Sequence, residues 1–151
     1  VADFLKDENV PVILSNTHRL PRRSHMDVDM PFKLPSLLRK AGVLTGFTVD
    51  GSWQVRTLPF QAGTAAAHGL KKEEAIQMIT LDNAKILGID KKVGSIEKGK
   101  HATLIVSKGD ILDMMTNDIE HAFIQGKKII LDDKQQRLYK RFKQKYESQK
   151  K

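Results

Sequence analysis

The 40 residues from Val10 to Val49 read as strand, loop, helix and strand, and that succession constrains this chain more than any other feature. Val10-Pro11-Val12-Ile13-Leu14 is short and fully apolar, the pattern of a strand buried on both faces. Ser15 to Met30 follows as a long polar loop holding His18, Arg19, Arg22, Arg23, His25, Asp27 and Asp29. A helix comes next. Pro35 suits its first position, Leu37 and Leu38 supply an apolar face, and Gly42 suits a stop just past its end. Val43–Val49 is a second buried strand, ending at Asp50-Gly51-Ser52. Two strands joined by a helical crossover form a βαβ unit, which requires a parallel pair. The expected fold class is α/β.

Composition narrows the class further. Of 151 residues, 40% are apolar and 29% charged, ordinary globular values that argue against disorder and fibrous folds. A compact monomer of 17.1 kDa would expose about 7,800 Å², roughly 70% less than its unfolded chain, enough for one core or a core plus a satellite. No apolar run nears the ~20 residues of a membrane-spanning helix. Val1-Ala2-Asp3-Phe4-Leu5-Lys6 holds no basic or apolar leader region, so no signal peptide is expected in it. Cysteine is absent, which excludes disulfides, thiolate metal sites and cysteine nucleophiles.

Val1–Glu8 reads as the end of a helix already under way. It has no N-cap, so further residues are expected upstream. Gln61 to Gly88 is helical with interruptions: Ala62, Ala65 and Ala66 permit close packing, and His68-Gly69 ends the first segment. Lys71–Thr80 places Glu73 and Glu74 in a first turn, and Asp82 suits the N-cap of a short helix. Glycine-punctuated β-rich runs follow at Thr103–Ser107, His121–Gln125 and Lys127–Leu131, the last two separated by Gly126 as in a tight hairpin. Asp133–Gln149 is a final helix with Leu131, Leu138 and Phe142 at helical spacing. The expected regions are 1–90, 91–131 and 132–151.

Charge gathers at the end of the chain. Residues 127–151 hold ten Lys/Arg and three Asp/Glu, while the other 126 residues carry a net +1. A solvated helix face accounts for this, and so does an anionic partner. Tyr139, Phe142 and Tyr146 among the basic residues suit stacking on nucleic acid. They suit an apolar face docking the helix on the body more simply.

Asp50 is the first candidate for chemistry. It sits at the carboxyl end of a predicted parallel strand, where α/β folds present reactive groups. A carboxylate there can bind a divalent metal and take a proton from metal-bound water; Asp-Gly is also a common turn dipeptide. His18 lies just past the other strand end. With Arg19, Arg22 or Arg23 it either faces a carboxylate-bearing substrate or belongs to an exposed polar loop. His25, His68, His101 and His121 stand singly, with no pairwise spacing that suits a metal. His68 and His121 read as structural.

Several stretches are together similar to the C-terminal end of the amidohydrolase superfamily, in its imidazolonepropionase and peptidase-like branch. They are Leu58-Pro59-Phe60-Gln61-Ala62-Gly63, Gly69-Leu70-Lys71-Lys72-Glu73-Glu74-Ala75, Thr80, Asn83-Ala84-Lys85-Ile86-Leu87-Gly88, and the run from Val93-Gly94-Ser95 through Gly99-Lys100-His101-Ala102 to Val106. The resemblance runs from about Val1 to Leu131. It implies the C-terminal part of a metal-dependent (β/α)₈ barrel, about two strands plus helices, followed by a small β-sandwich segment and the C-terminal helix. Val10–Leu14 and Val43–Val49 would be barrel strands seven and eight. Asp50 would be the aspartate after strand eight, both metal ligand and proton shuttle, with His18 and Arg19 facing substrate.

Three departures accompany the resemblance. The family's other metal-binding residues would precede Val1, Val49 stands where Ser or Thr usually precedes the aspartate, and His101 replaces an Asp. The resemblance thus implies a fragment or subunit of a hydrolase of C–N bonds in amides, cyclic amides or peptides, inactive alone. A divalent metal, zinc, would belong to the full-length enzyme and would not be held by this chain alone. The expected partners are the missing N-terminal barrel half or another copy of the chain, and a small-molecule substrate in the complete enzyme; no nucleic-acid or membrane partner is expected. The alternative is a non-catalytic oligomerisation or binding module that retains the architecture.

Overall fold

The computed structural model describes residues 1–149 apart from Asn16 and Arg22. Helix α1 (Ala2–Asp7) ends at Asn9, whose φ of 53° turns the chain back so that the Val10 N–H reaches the Leu5 carbonyl at 2.8 Å. Pro11 has no N–H to offer. Strand β1 (Val12–Ser15) therefore begins two residues later than its apolar run. It is not buried on both faces: half-buried and exposed residues alternate, and Ile13 is 44% exposed. Among the described residues a single strand flanks it.

Helix α2 (Met30–Lys40) starts a full turn earlier than Pro35 suggests. Pro31 takes the first turn, where its missing N–H costs nothing. Pro35 lies inside the helix, buried, at the loss of one backbone hydrogen bond. Gly42, at φ 82°, closes α2, and the Val43 N–H then reaches back to the Leu38 carbonyl at 3.0 Å. That bond removes Val43 from the ladder, so β2 spans only Thr45–Thr48. β1 and β2 pair in parallel, from Val12 opposite Thr45 to Ser15 opposite Thr48.

A 3₁₀ turn (Gln54–Thr57) leads into α3 (Leu58–Ala67), α4 (Lys72–Ile79) and α5 (Leu81–Ile86). Ala62, Ala65, Ala75 and Met78 are fully buried where α3 and α4 meet, and with Phe47, Leu70 and Leu112 they form the core. Small side chains let these helices approach closely. Asp82 does not cap α5, because Thr80 occupies that position. Asp82 is buried in the first turn instead, its Oδ2 accepting from Arg39 Nη1 at 2.7 Å. The α5 residue Asn83 donates through Nδ2 to the Phe47 carbonyl at 2.9 Å, and its Oδ1 would lie 1.9 Å from a Cβ at Gly46. Gly46→Ala is therefore expected to destabilise the chain by about 2 kcal/mol, read from its urea unfolding midpoint, by driving α5 off β2.

Strands β3 (Leu104–Ser107), β4 (Ile119–Ile124) and β5 (Lys127–Ile129) form an antiparallel sheet in that order. Gln125 and Gly126 both have positive φ (51° and 79°), the two-residue turn that matches strand twist. Between β3 and β4 the chain returns to the helices. The Leu112 carbonyl would lie 2.1 Å from a Cβ at Gly63, and Lys72 Nζ pairs with Asp110 Oδ2 at 2.5 Å.

The last helix, α6 (Lys134–Ser148), is capped by Asp133, whose Oδ1 accepts from the Gln136 N–H at 2.7 Å. It does not dock. None of its residues is buried; Leu138, Tyr139, Phe142 and Tyr146 are all exposed, and Leu131 lies outside its register. With six Lys/Arg and one Glu along its length, its solvation by water outweighs the small apolar arc it has to bury. The whole chain exposes 11241 Å², about 3,400 Å² more than a compact monomer of its mass. An undocked helix and two open sheets explain the excess. Among the described residues, no helix is long and apolar enough to cross a membrane.

Candidate functional site

The parallel pair brings the predicted site residues to one edge. Ser15 and Thr48 are register partners at the carboxyl ends of β1 and β2; His18 and Arg19 follow β1 and Asp50 follows β2. Asp50 is exposed and Gly51 beside it turns at φ 82°, so the Asp-Gly step is a turn at a strand end. Arg22 lies outside the described residues. The loop is anchored by Thr17, buried, whose N–H donates to the buried Gln61 Oε1 at 2.9 Å.

His18 and Arg19 line a depression of about 340 Å³ with Leu20, Phe32 and Thr64, and Asp50 is not part of that lining. His18 Nε2 lies 2.6 Å from Thr64 Oγ1. The Thr64 hydroxyl donates to the Phe60 carbonyl at 3.0 Å, the back-bond common for threonine within helices. The Phe32 ring meets His18 edge-on, centroids 6.5 Å apart, and His68 at 5.1 Å. Burial lowers the His18 pKa below its ordinary value, which favours the neutral ring. His68 caps α3 and bonds the Thr64 carbonyl through Nδ1 at 2.8 Å, a structural role that fits its place before Gly69. Sequence reasoning assigned no role to Thr17, Phe32, Gln61 or Thr64. The four-residue spacing of Thr64 and His68 on one helix was the available sign.

A second cavity, about 330 Å³, lies between α3 and the Asp110–Asp113 turn. Lys72 and then the Leu112 N–H hydrogen-bond Asp110, holding its carboxyl below the usual range. This pair fastens the turn to α4.

Among the described residues no three His, Asp or Glu side chains converge as a metal would need. Asp50 stands at a strand end and the Nε2 of His18 is engaged by Thr64. The residues present do not by themselves fit a metal ion.

Comparison with known proteins places this geometry in context. The pattern of the amidohydrolase family matches residues 9–129. An amidohydrolase from Thermotoga maritima MSB8 superposes with a TM-score of 0.76 at 29% identity, over 85% of this chain and 33% of that one. Adenine deaminase 3 of Rhizobium meliloti (strain 1021) is 40% identical over 63 residues, 42% of this chain and 10% of that protein. An adenosine deaminase from Xanthomonas campestris, solved with bound zinc, shares the fold at a TM-score of 0.51 and 20% identity, over 72% of this chain and 33% of that one. The chain thus spans about a third of these solved structures and a tenth of the curated relative. Among the described residues its own fold is a mixed α/β part of theirs, with two small sheets and no barrel closure. With its pattern matched over residues 9–129 and its helices and sheets laid out as in the Thermotoga protein, the chain belongs to the amidohydrolase family.

Proposed function

We propose that this chain is the C-terminal portion of a metal-dependent hydrolase of C–N bonds, in which β1 and β2 are the last two strands of a (β/α)₈ barrel. Residues 1–90 belong to that barrel, 91–131 to its small β-sandwich, and 132–151 to an appended helix. Asp50 is the carboxylate it contributes to a composite metal site, and His18 and Arg19 face the substrate. One observation carries this reading: the parallel pair is unclosed, while its elements superpose on a third of a solved amidohydrolase. Among the described residues β1 and β2 pair only with each other, an arrangement that leaves room for further strands beside them.

The test is reconstitution. The 151-residue chain is assayed alone and together with a polypeptide supplying the remaining strands, against amide, cyclic amide and dipeptide substrates, with bound metal measured by elemental analysis. Hydrolysis and stoichiometric metal are expected only in the combined sample. Full activity of the chain alone would overturn the proposal.

The excess exposed surface also favours a second reading, an assembly module that pairs with other copies of itself. Light scattering separates the two: a defined oligomer that takes up no metal and gains no activity from the missing strands supports the module.

A further inference from the structure

We propose that Thr64 is a positioning residue that sets His18 and His68 in opposite tautomers, so that His18 meets a ligand as a hydrogen-bond acceptor through Nδ1. A hydroxyl has one hydrogen, and the Thr64 hydroxyl spends it on the Phe60 carbonyl at 3.0 Å. With the hydrogen so placed, its oxygen, 2.6 Å from His18 Nε2, is the acceptor and Nε2 carries the proton. The neutral ring is left with a lone pair at Nδ1. His68 is the reverse case. Its Nδ1 lies 2.8 Å from the Thr64 carbonyl, which only accepts, so there Nδ1 carries the proton. One residue thus fixes both rings, through its side chain in one case and its backbone in the other.

The arrangement defines what the depression can recognise. Arg19, also in the lining, offers only donors, and His18 with Nε2 engaged offers an acceptor. A ligand that presents an N–H or O–H to His18 and an oxygen to Arg19 satisfies both, whereas a purely anionic group finds no donor on the neutral ring. This assignment of ligand chemistry rests on His18 facing substrate, as proposed above; the tautomers do not.

The experiment is a two-bond ¹H–¹⁵N correlation of the histidine rings in the 151-residue chain near pH 8. His18 is expected to show a protonated, pyrrole-type Nε2 and a pyridine-type Nδ1, and His68 the opposite. In Thr64→Val the His18 nitrogens should move towards the averaged shifts of a mobile imidazole. His68 should keep its pattern, because its partner is a backbone carbonyl. Thr64→Ser should restore His18. A wild-type His18 with a pyrrole-type Nδ1, or with averaged nitrogens, would overturn the proposal, as would a folded Thr64→Val chain with His18 unchanged. Failure of the hydrolase reading would leave these signals in place, so the two can fail separately.

Discussion

Arg39→Met is expected to lower the unfolding free energy by about 3 kcal/mol, seen as an earlier urea midpoint at unchanged slope. The Asp82 carboxylate is 2% exposed and receives its hydrogen bond from Arg39 Nη1 at 2.7 Å. Lys85 Nζ, at 4.0 Å from Oδ1, is too distant to replace it. The same guanidinium donates through Nη2 to Gln77 Oε1 at 2.7 Å, so one side chain of α2 ties down both α4 and α5. Removing it strands a buried charge, and the partial exposure of Arg39 keeps the cost near the lower end for such losses. Arg39→Lys should recover only part of the stability, because one ammonium nitrogen lacks the planar fork that meets Asp82 through Nη1 and Gln77 through Nη2. Combining Arg39→Met with Asp82→Leu should be milder than Arg39→Met alone, since no charge is then left unpaired. Equal midpoints for wild type and Arg39→Met would mean that Asp82 is not held in this way.

In the protein assembled with its remaining strands, Asp50→Asn is expected to reduce kcat/KM by roughly 10²- to 10⁴-fold, the scale for removing a proton-transferring group. Asparagine keeps the shape of the side chain and its turn preference, but neither carries the negative charge nor accepts a proton. Circular dichroism and urea unfolding of the same variant distinguish loss of chemistry from loss of fold. Wild-type turnover in Asp50→Asn would remove this residue from the proposed site.

Much of the fold was legible because its signals are local. The apolar run before the polar loop marks β1, Gly42 and Gly69 mark helix ends, and the turn at Gly126 marks the hairpin, each read within a few residues. Strand starts were less legible. The Val10 and Val43 N–H groups belong to the ends of α1 and α2, and apolar composition does not reveal that competition. The site was half legible for the same reason. The strand-end positions of His18 and Asp50 follow from the βαβ pattern, while Thr64, the hydrogen-bond partner of His18, lies 46 residues further along.

By itself, then, the sequence determined the parallel pair, the order of helices and the antiparallel hairpin, since propensity, proline, glycine and apolar spacing all act over one or two turns of chain. The tertiary structure alone decided that Asp82 is a buried partner of Arg39 and that Thr64 meets His18. It also decided that α6 stands clear of the body and that β1 shows one face to solvent. Each of these depends on which surfaces meet after the chain has folded back on itself. A pairing across 40 or more residues leaves no pattern in either segment alone, because its energy comes from burial and charge compensation that exist only when both are in place.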